Sequence, residues 1–254
     1  MKILERLVLE QLRPVVRPFT GPLQFAYQPR LGVEDGIIYL LNRVYTHLDK
    51  SASTVRVMFF DFSSAFNTMK TPVTPVSIQG VPVDTVEEYK YLGVYFNSKL
   101  DWTRNTEAVY KRGQSRLFFL RRLRSFNICR TMLRMFYESV VASTIFFAVT
   151  CWGSGLKVAD TNRLNKLIRR AGDVVGEELD TLTTVAEGRM LSRLQSILNN
   201  VSHPLYDTLA QQRSTFSRRL LSSRCTTERH RKSFLPVVIK LYNASLRESD
   251  TPSL

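Results

Sequence analysis

The sequence predicts an α+β protein in two parts: a mixed α/β region up to about residue 101, then a mostly α-helical region over 102–254. Three observations support this prediction. Residues 55–62, "VRVMFFDF", form an apolar run typical of a buried strand. Beyond residue 102, apolar residues recur three and four positions apart, as in amphipathic helices. The hydrophobic fraction of 44% over 254 residues is sufficient for a sizeable core.

Two helices are predicted before the first strand. Residues 1–18 form an amphipathic pattern with Leu4, Leu7, Val8 and Leu12 on one face, and Pro14 and Pro18 are expected to end it. A loop rich in glycine and proline follows. Residues 33–49 predict the second helix, and its apolar stripe consists of Ile37, Ile38, Leu41, Val44, Tyr45 and Leu48.

Three extended segments are predicted next. The run Val55–Phe62 is apolar on both faces, so it is expected as a central strand. Residues 70–77 carry no periodicity, and residues 76–84 predict a short hairpin that turns at Gln79-Gly80. Residues 87–97, "EEYKYLGVYFN", predict a further strand.

The region after residue 102 predicts helices throughout. A basic helix covers Thr103 to about Ile128, a hydrophobic helix covers Arg130–Trp152, and a second basic helix covers Ala159–Val175. Short helices and loops rich in serine and arginine follow, to about Leu246. Four apolar residues of the first basic helix are expected in the core: Phe118, Phe119, Leu120 and Leu123.

The charge balance favours a polyanionic partner. Lys and Arg number 36 against 22 acids, a net charge of +14, which suggests nucleic acid or an acidic membrane. A basic protein without such a partner is the alternative. The most apolar run, "SVVASTIFFAVTCWG", has 15 residues, which is short for a membrane span and suits a buried helix, so no membrane partner is expected.

The cysteines and the N-terminus predict an intracellular location, cytoplasmic or nuclear. The chain has three cysteines, Cys129, Cys151 and Cys225. An odd number without CxxC spacing argues against a disulfide framework and against a zinc site. Cys151 lies in an apolar run and is expected to be inert. Residues 1–12 predict an amphipathic helix with charged residues rather than a signal peptide.

Asp61 is the carboxylate whose setting most needs explanation. An acid at the end of an apolar strand is costly unless something compensates it. Magnesium is one compensator, because it prefers one or two carboxylates together with substrate phosphates. The alternative is that Asp61 caps a helix starting near Ser63-Ser64, and spacing alone favours that alternative.

The residues around Asp61 resemble a known family. "FFDFSSAFNT" is similar to the first catalytic motif of the reverse transcriptases of non-LTR (LINE-type) retrotransposons. Residues 3–50 resemble the fingers segment that precedes this motif, and residues 86–102 resemble the strand under the primer end. "NTEAVYKRGQSRLFFLRRLRSF" and the "CWG" region resemble the thumb and the segment after it, in the order of the family.

The resemblance implies a fold and a set of site residues. Residues 1–101 would be a remnant of the fingers and palm with the primer-grip strand, and 102–254 a helical thumb and C-terminal region. Asp61 matches the metal-binding aspartate of an RNA-directed DNA polymerase that uses Mg²⁺, and Phe66 matches the aromatic under the incoming sugar. The primer-grip strand is matched by Tyr91, Leu92 and Gly93.

One implied contact departs from the family pattern. Arg30 is a candidate phosphate contact in the fingers. The family often has arginine directly after the aromatic of "FAY", where this chain has Gln28.

The residues that polymerase chemistry needs beside Asp61 are missing. Two metal ions stabilise the attacking and leaving oxygens, and one carboxylate does not hold both. The sequence contains no Asp-Asp pair and lacks the Pro-Gln-Gly segment of the family. In the family, both motifs lie between the positions that Asp61 and Tyr91 match. Within that interval, the composition of this chain changes at Met69-Lys70 to threonine, proline and valine. We therefore predict an internally truncated, catalytically inactive chain without a functional Mg²⁺ site.

Nucleic-acid binding without sequence preference is the activity that such a chain could retain. The basic helices could contact RNA or DNA backbone in a salt-sensitive manner. The alternative is a charged face that is only solvated. The predicted backbone contacts are Lys111, Arg112, Arg116, Arg121, Arg122 and Arg124.

Two rival functions remain open. Residues 103–152 also resemble the N-terminal region of AlkB-homologue tRNA-modifying proteins, which combine dioxygenase and methyltransferase activities. Iron chemistry of that kind needs a His-x-Asp…His triad, for which His47 and Asp49 with His203 or His230 are candidates. The chain has too few strands for a jelly roll and lacks a glycine-rich turn for a methyl donor. The other rival is a non-enzymatic helical module, residues 103–175, that binds RNA or a partner.

Overall fold

The computed structural model describes residues 2–16, 21, 23–25, 28–59, 77–78, 81–82 and 86–249. The described residues are mostly helical with two small antiparallel hairpins, which is compatible with the predicted α+β class. The elements before residue 102 are α1 (Lys2–Val16), α2 (Val33–Leu48), β1 (Ser77–Ile78), β2 (Val81–Pro82), β3 (Glu88–Tyr91) and β4 (Val94–Asn97).

Helices dominate the rest of the chain. A π-helical turn, Tyr137–Ala142, follows α4, and a 3₁₀ turn, Gly153–Gly155, follows α6. The helices are α3 (Thr103–Ser125), α4 (Arg130–Phe136), α5 (Ser143–Ile145), α6 (Val149–Trp152), α7 (Val158–Val175), α8 (Leu182–Leu198), α9 (Tyr206–Ala210), α10 (Glu228–Arg231) and α11 (Phe234–Ser249). The two basic helices are thus confirmed as α3 and α7, whereas α8 and α11 are longer than predicted.

A single hydrophobic cluster joins α2 to the helices beyond residue 102. The predicted stripe of α2 is confirmed, since Ile37, Ile38, Leu41 and Tyr45 are at most 4% exposed. These residues belong to the same cluster as Trp152 and Leu194, and α2 packs against α6, α10 and α11. The boundary proposed at residues 101–102 stays a prediction, but the core crosses it.

The two hairpins turn at two-residue loops. Ile78 pairs with Val81, which confirms the predicted turn position, although residues 79–80 lie outside the described residues. The predicted strand over 87–97 is wrong, because Tyr91 pairs with Val94 and the chain reverses between them. Leu92 and Gly93 have φ of 48° and 89°. Positive φ at both loop positions suits a type I′ turn, whose twist matches that of the strands.

The predicted central strand Val55–Phe62 is also wrong over its described part. Residues 53–59 have no regular structure, and Val57 and Met58 are 42% and 52% exposed. Among the described residues, each strand pairs only within its own hairpin, and this run pairs with neither hairpin. Phe59 alone finds an apolar partner and stacks on Tyr89 with ring centroids 4.1 Å apart.

Two predicted helix boundaries need correction. Pro14 does not end α1, which continues to Val16, and the apolar face of α1 is exposed at Leu7 and Leu12 (56% and 50%). The hydrophobic helix predicted over residues 130–152 is broken at residues 146–148, where Ala148 has a φ of 50°. The helix ends and restarts there because a left-handed residue cannot continue an α-helix.

The segment Arg130–Gly155 has the length and apolar composition of a helix that could cross a membrane. In the fold this segment is partly buried: Leu133, Val141, Ile145 and Trp152 are fully buried, whereas Met132 and Met135 are 60% and 63% exposed. Trp152 and Trp102 are buried as well, at 0% and 4% exposed.

A buried carboxylate fixes the N-terminal end of α2. Asp35 is 1% exposed, and its Oδ2 accepts a hydrogen bond from the Gly32 N–H at 2.6 Å. Arg193 of α8 donates to the same oxygen at 3.2 Å, and Nε2 of His203 lies 3.3 Å from Oδ1. Burial opposes ionisation of Asp35, but His203, the Gly32 N–H and the charge of Arg193 together lower its pKa.

A second carboxylate fixes the C-terminal end of α2. Asp49 accepts hydrogen bonds from the backbone N–H groups of Thr226 and Thr227 at 2.8 and 2.7 Å. Nδ1 of His230 lies 3.2 Å from its Oδ2. The backbone hydrogen bonds, first that of Thr226, lower the pKa of Asp49. Both ends of α2 are therefore fastened to segments beyond residue 190.

Replacing Asp35 with asparagine is expected to destabilise the protein strongly. The substitution removes the charged acceptor of Gly32, Arg193 and His203, which typically costs about 1–3 kcal/mol, although Arg193 keeps its ion pair with Glu34. Urea unfolding followed by circular dichroism measures the loss. The matched control is Asp173→Asn on the exposed face of α7, with an expected change within about 0.5 kcal/mol. Equal effects of the two substitutions would contradict the structural role of Asp35.

Asp35 also predicts a direction for the pH dependence of stability. Because its folded-state pKa is lowered, its contribution is fully present above the unfolded carboxyl pKa of about 4 and is lost as the pH falls through the folded value. The free energy of unfolding should decrease on acidification below about pH 4, and less so in Asp35→Asn. An identical pH profile for both proteins would refute this assignment.

Candidate nucleic-acid interface

Helix α3 is positioned by the loop before it and by the β3–β4 hairpin. Asp101 Oδ1 accepts a hydrogen bond from the Thr103 N–H at 3.1 Å and so caps the first turn. Asn105 accepts one from the Tyr95 N–H of β4 at 3.2 Å. Val109, Leu117 and Leu120 are at most 3% exposed. This buried row anchors α3 and leaves its other faces in solvent.

Helix α7 lies beside α3 and runs parallel to it. Near the start of both helices, Lys157 Nζ lies 3.3 Å from Thr103 Oγ1. Further along, the Arg163 guanidinium stacks over the Tyr110 ring at 3.8 Å. Lys166 and Arg170 follow Arg163 at the third and seventh positions and are exposed, so they share its face of α7.

The neighbouring segment of α3 carries a strong excess of positive charge. Residues 108–137 contain eight lysines and arginines and no acid. Lys111 pairs with Glu107 at 2.7 Å. For the other predicted contacts of α3, no ion pair with another described residue is found. All six predicted residues are exposed: Lys111, Arg112, Arg116, Arg121, Arg122 and Arg124.

These six cations do not form one stripe. Arg112 and Arg116 are four positions apart and share one face of α3. Residues eleven positions apart share a face of an α-helix, because eleven residues make about three turns. Lys111 and Arg122 therefore share a second face. Arg121 shares the face of Tyr110, which lies on the side of α7. We define the α3–α7 basic surface as Lys111, Arg121, Arg122, Arg163, Lys166 and Arg170.

Exposed aromatic side chains lie between these cations in the sequence of α3. Phe118 and Phe119 are 59% and 48% exposed, so their predicted place in the core is wrong. Leu120 and Leu123 are buried and half-buried, as predicted. The core uses one row of α3, and Phe118 and Phe119 lie outside that row. At the end of the helix, the Arg122 guanidinium lies 5.4 Å from the Phe126 ring.

The residues implied by the reverse-transcriptase resemblance lie apart from α3. Arg30 is exposed, with a φ of 61°, in the loop before α2. Tyr91 is half-buried, 5.0 Å from the Phe59 ring, whereas Leu92 is 42% exposed in the hairpin turn beside Gly93. Leu92 and Gly93 therefore form a turn rather than the predicted strand. Asp61 and Phe66 lie outside the described residues.

Of the candidates for an iron triad, the structure brings Asp49 and His230 into contact and holds His203 at a different carboxylate. His203 contacts Asp35, and His230 contacts Asp49. His47 is exposed. Within the described part of the chain, no group of three His, Cys, Asp or Glu side chains could hold a metal ion. Cys151 is 5% exposed, and burial raises the pKa of its thiol, as expected for an inert cysteine.

Comparison with known proteins gives two partial similarities. Residues 102–143 match the family described as "Alkylated DNA repair protein alkB homolog 8, N-terminal". The chain is also 28% identical over 174 residues to the "Probable RNA-directed DNA polymerase from transposon BS" of Drosophila melanogaster, covering 66% of this chain but 19% of that protein. No solved structure matches.

The comparisons support both resemblances that the sequence motifs suggested. The alkB homolog 8 match lies on α3, α4 and the turn after them. At the level of protein family, the chain is distantly similar to a transposon RNA-directed DNA polymerase.

Proposed function

We propose that the chain is a degenerate reverse-transcriptase fragment of a non-LTR retrotransposon that binds the backbone of RNA or DNA without sequence preference. The observation that carries this proposal is a set of exposed arginines in the acid-free segment 108–137, beside the cations of α7. Five of them form no ion pair with another described residue: Arg112, Arg116, Arg121, Arg122 and Arg124. Guanidinium and ammonium groups without carboxylate partners remain available for phosphates.

The arrangement of the cations favours backbone contacts over base readout. Arg121 and Arg170 lie on two parallel helices packed side by side, so positive charge is spread across a broad surface. Binding to such a surface is driven largely by the release of counterions and depends steeply on salt. The exposed rings of Phe118 and Phe126 add apolar faces on which unpaired bases could stack.

Loss of polymerase chemistry is the second part of the proposal. In the parent enzyme, Asp61 would hold Mg²⁺, Phe66 would lie under the incoming sugar, and Arg30 would contact phosphate. Residues 91–93 would support the primer end. A two-metal reaction needs further carboxylates, and the sequence has no Asp-Asp pair to supply them. The same proposal assigns the residues before 102 to a palm remnant and those after it to a thumb.

The alkB homolog 8 similarity does not favour a dioxygenase. It covers 42 residues, 102–143, and these lie on helices that carry the basic surface. The histidine candidates His203 and His230 are held by separate carboxylates, Asp35 and Asp49. A non-enzymatic helical module is compatible with the same surface and predicts the same binding.

Reversing two charges of the basic surface is expected to weaken nucleic-acid binding. In Arg121→Glu/Arg122→Glu, the affinity for single-stranded RNA should fall at least about tenfold at low salt, and the slope of log K against log [salt] should decrease by about 2. Fluorescence anisotropy with labelled RNAs of unrelated sequence measures both quantities.

The matched control reverses two exposed arginines elsewhere with the same change in net charge. Arg218→Glu/Arg219→Glu alters the loop that precedes Leu220, and it should leave most of the affinity and the salt slope intact. Equal losses in both variants would show that net charge alone, and not the α3–α7 basic surface, determines binding.

The purified 254-residue chain is expected to lack templated DNA synthesis. Primer extension on an RNA template with Mg²⁺ should give no product above background, and Asp61→Ala should behave identically, because one carboxylate does not hold two metal ions. A full-length reverse transcriptase serves as the positive control. Incorporation that Asp61→Ala abolishes would overturn the proposed loss of activity.

A further inference from the structure

A small pocket lies at the opposite end of α2 from Asp35. Its volume is about 200 Å³, and Tyr45 and Cys151 line it together with the loop before α3 and the segment around α10. The volume is below the roughly 300–1,000 Å³ typical of drug-sized ligands. A small ligand or a single chemical group therefore fits it best.

The pocket is lined by side chains that can donate hydrogen bonds, and one of them has no partner among the described residues. The Ser233 hydroxyl is one: the residue is 6% exposed, and its Oγ makes no hydrogen bond. Tyr45 and Trp102, each 4% exposed, line the same pocket and carry a hydroxyl and an indole N–H as further donors. A Cβ at Gly155, which also lines the pocket, would lie 2.7 Å from Trp102 Nε1.

Ser233 also brings a helix N-terminus to the pocket. It precedes α11, and its carbonyl accepts a hydrogen bond from the Val237 N–H at 3.3 Å, as an N-cap residue does. Its side chain does not cap the helix. The positive end of the α11 dipole and the free Ser233 hydroxyl thus lie on the same side of the pocket. This arrangement favours the binding of an anion.

The charged residues at the pocket are positive in sum. Four cations line it: Lys99, Lys157, Arg229 and Lys232. The two carboxylates are engaged, since Asp101 lies 3.7 Å from Lys157 and Glu228 lies 2.7 Å from Lys232. Lys99 and Arg229 therefore leave an excess of two positive charges.

The walls hold these groups in place before any ligand binds. Leu100 and Trp102 have φ values of 52° and 63°, in the left-handed region that bulky residues adopt only where the surrounding structure holds them. Arg229 donates to the Lys99 carbonyl at 3.3 Å and joins the two sides of the mouth. Burial raises the pKa of Tyr45 to about 12, so the phenol remains a donor at neutral pH.

We propose that this pocket binds a phosphate group through the Tyr45, Trp102 and Ser233 donors beneath the cations Lys99 and Arg229. The group could come from inorganic phosphate or from the 5′-phosphate of a nucleic-acid strand. The proposal is independent of the α3–α7 basic surface, because none of its residues belongs to that surface.

Titration of the full chain with inorganic phosphate tests the site. Phosphate is expected to raise the unfolding temperature saturably above that in sodium chloride of equal ionic strength. Tyr45→Phe and Ser233→Ala each remove one hydroxyl and should raise the apparent Kd about tenfold. The matched controls Tyr206→Phe and Ser143→Ala should leave the Kd unchanged. Unfolding in chloride alone verifies that each variant is folded.

A second experiment distinguishes the two sources of the phosphate. Anisotropy compares a 5′-phosphorylated oligonucleotide with its 5′-hydroxyl counterpart. Tighter binding of the phosphorylated strand that Tyr45→Phe/Ser233→Ala removes assigns the site to strand ends, whereas a response to inorganic phosphate alone assigns it to the free ion. Absence of a phosphate effect beyond ionic strength in both experiments, or an undiminished effect in the double variant, overturns the proposal. Binding of the 5′-hydroxyl strand reports separately on the α3–α7 basic surface.

Discussion

The contact between Asp35 and Arg193 is the constraint on which the rest of the fold depends. A carboxylate that is 1% exposed must be compensated, and here it is compensated by a residue 158 positions away. Thr150 donates to Glu34 at 2.9 Å, and Glu34 pairs with the same arginine at 3.3 Å. One end of α2 is thereby joined to α6, α8 and the His203 loop. A helix held in this way needs no neighbouring β-sheet for its position.

The basic surface exists because only one row of α3 residues packs into the core. The apolar row of Val109, Leu117 and Leu120 packs inward, so every arginine outside that row remains in solvent. Like charges on one helix repel one another, and this destabilises the isolated segment. The surrounding core offsets the repulsion, because α3 packs against α7, α5 and β4. The protein therefore maintains a concentration of positive charge that the helix alone would not favour.

Local patterns predicted much of the fold, and distant contacts account for what they missed. The stripe of α2 and the turn after Ile78 were predictable because periodicity and turn chemistry are local. Residues 55–59 have the composition of a strand but pair with no strand among the described residues, and pairing is not a local property. For Asp35 and His203, nothing near either residue in the sequence indicates their contact. The opposite sign of Asp35 and Arg193 was visible, but not their proximity.

The same reasoning explains how a chain can lose a catalytic centre and retain a fold. In a polymerase, the metal-binding carboxylates are grouped for chemistry, and grouping like charges costs stability rather than providing it. The carboxylates that stabilise this protein, Asp35 and Asp49, are each paired with donors from the C-terminal half. Removing metal ligands from a chain of this kind leaves those pairs intact. The basic surface therefore depends on these pairs and on the core around α3, and not on a grouped set of metal ligands.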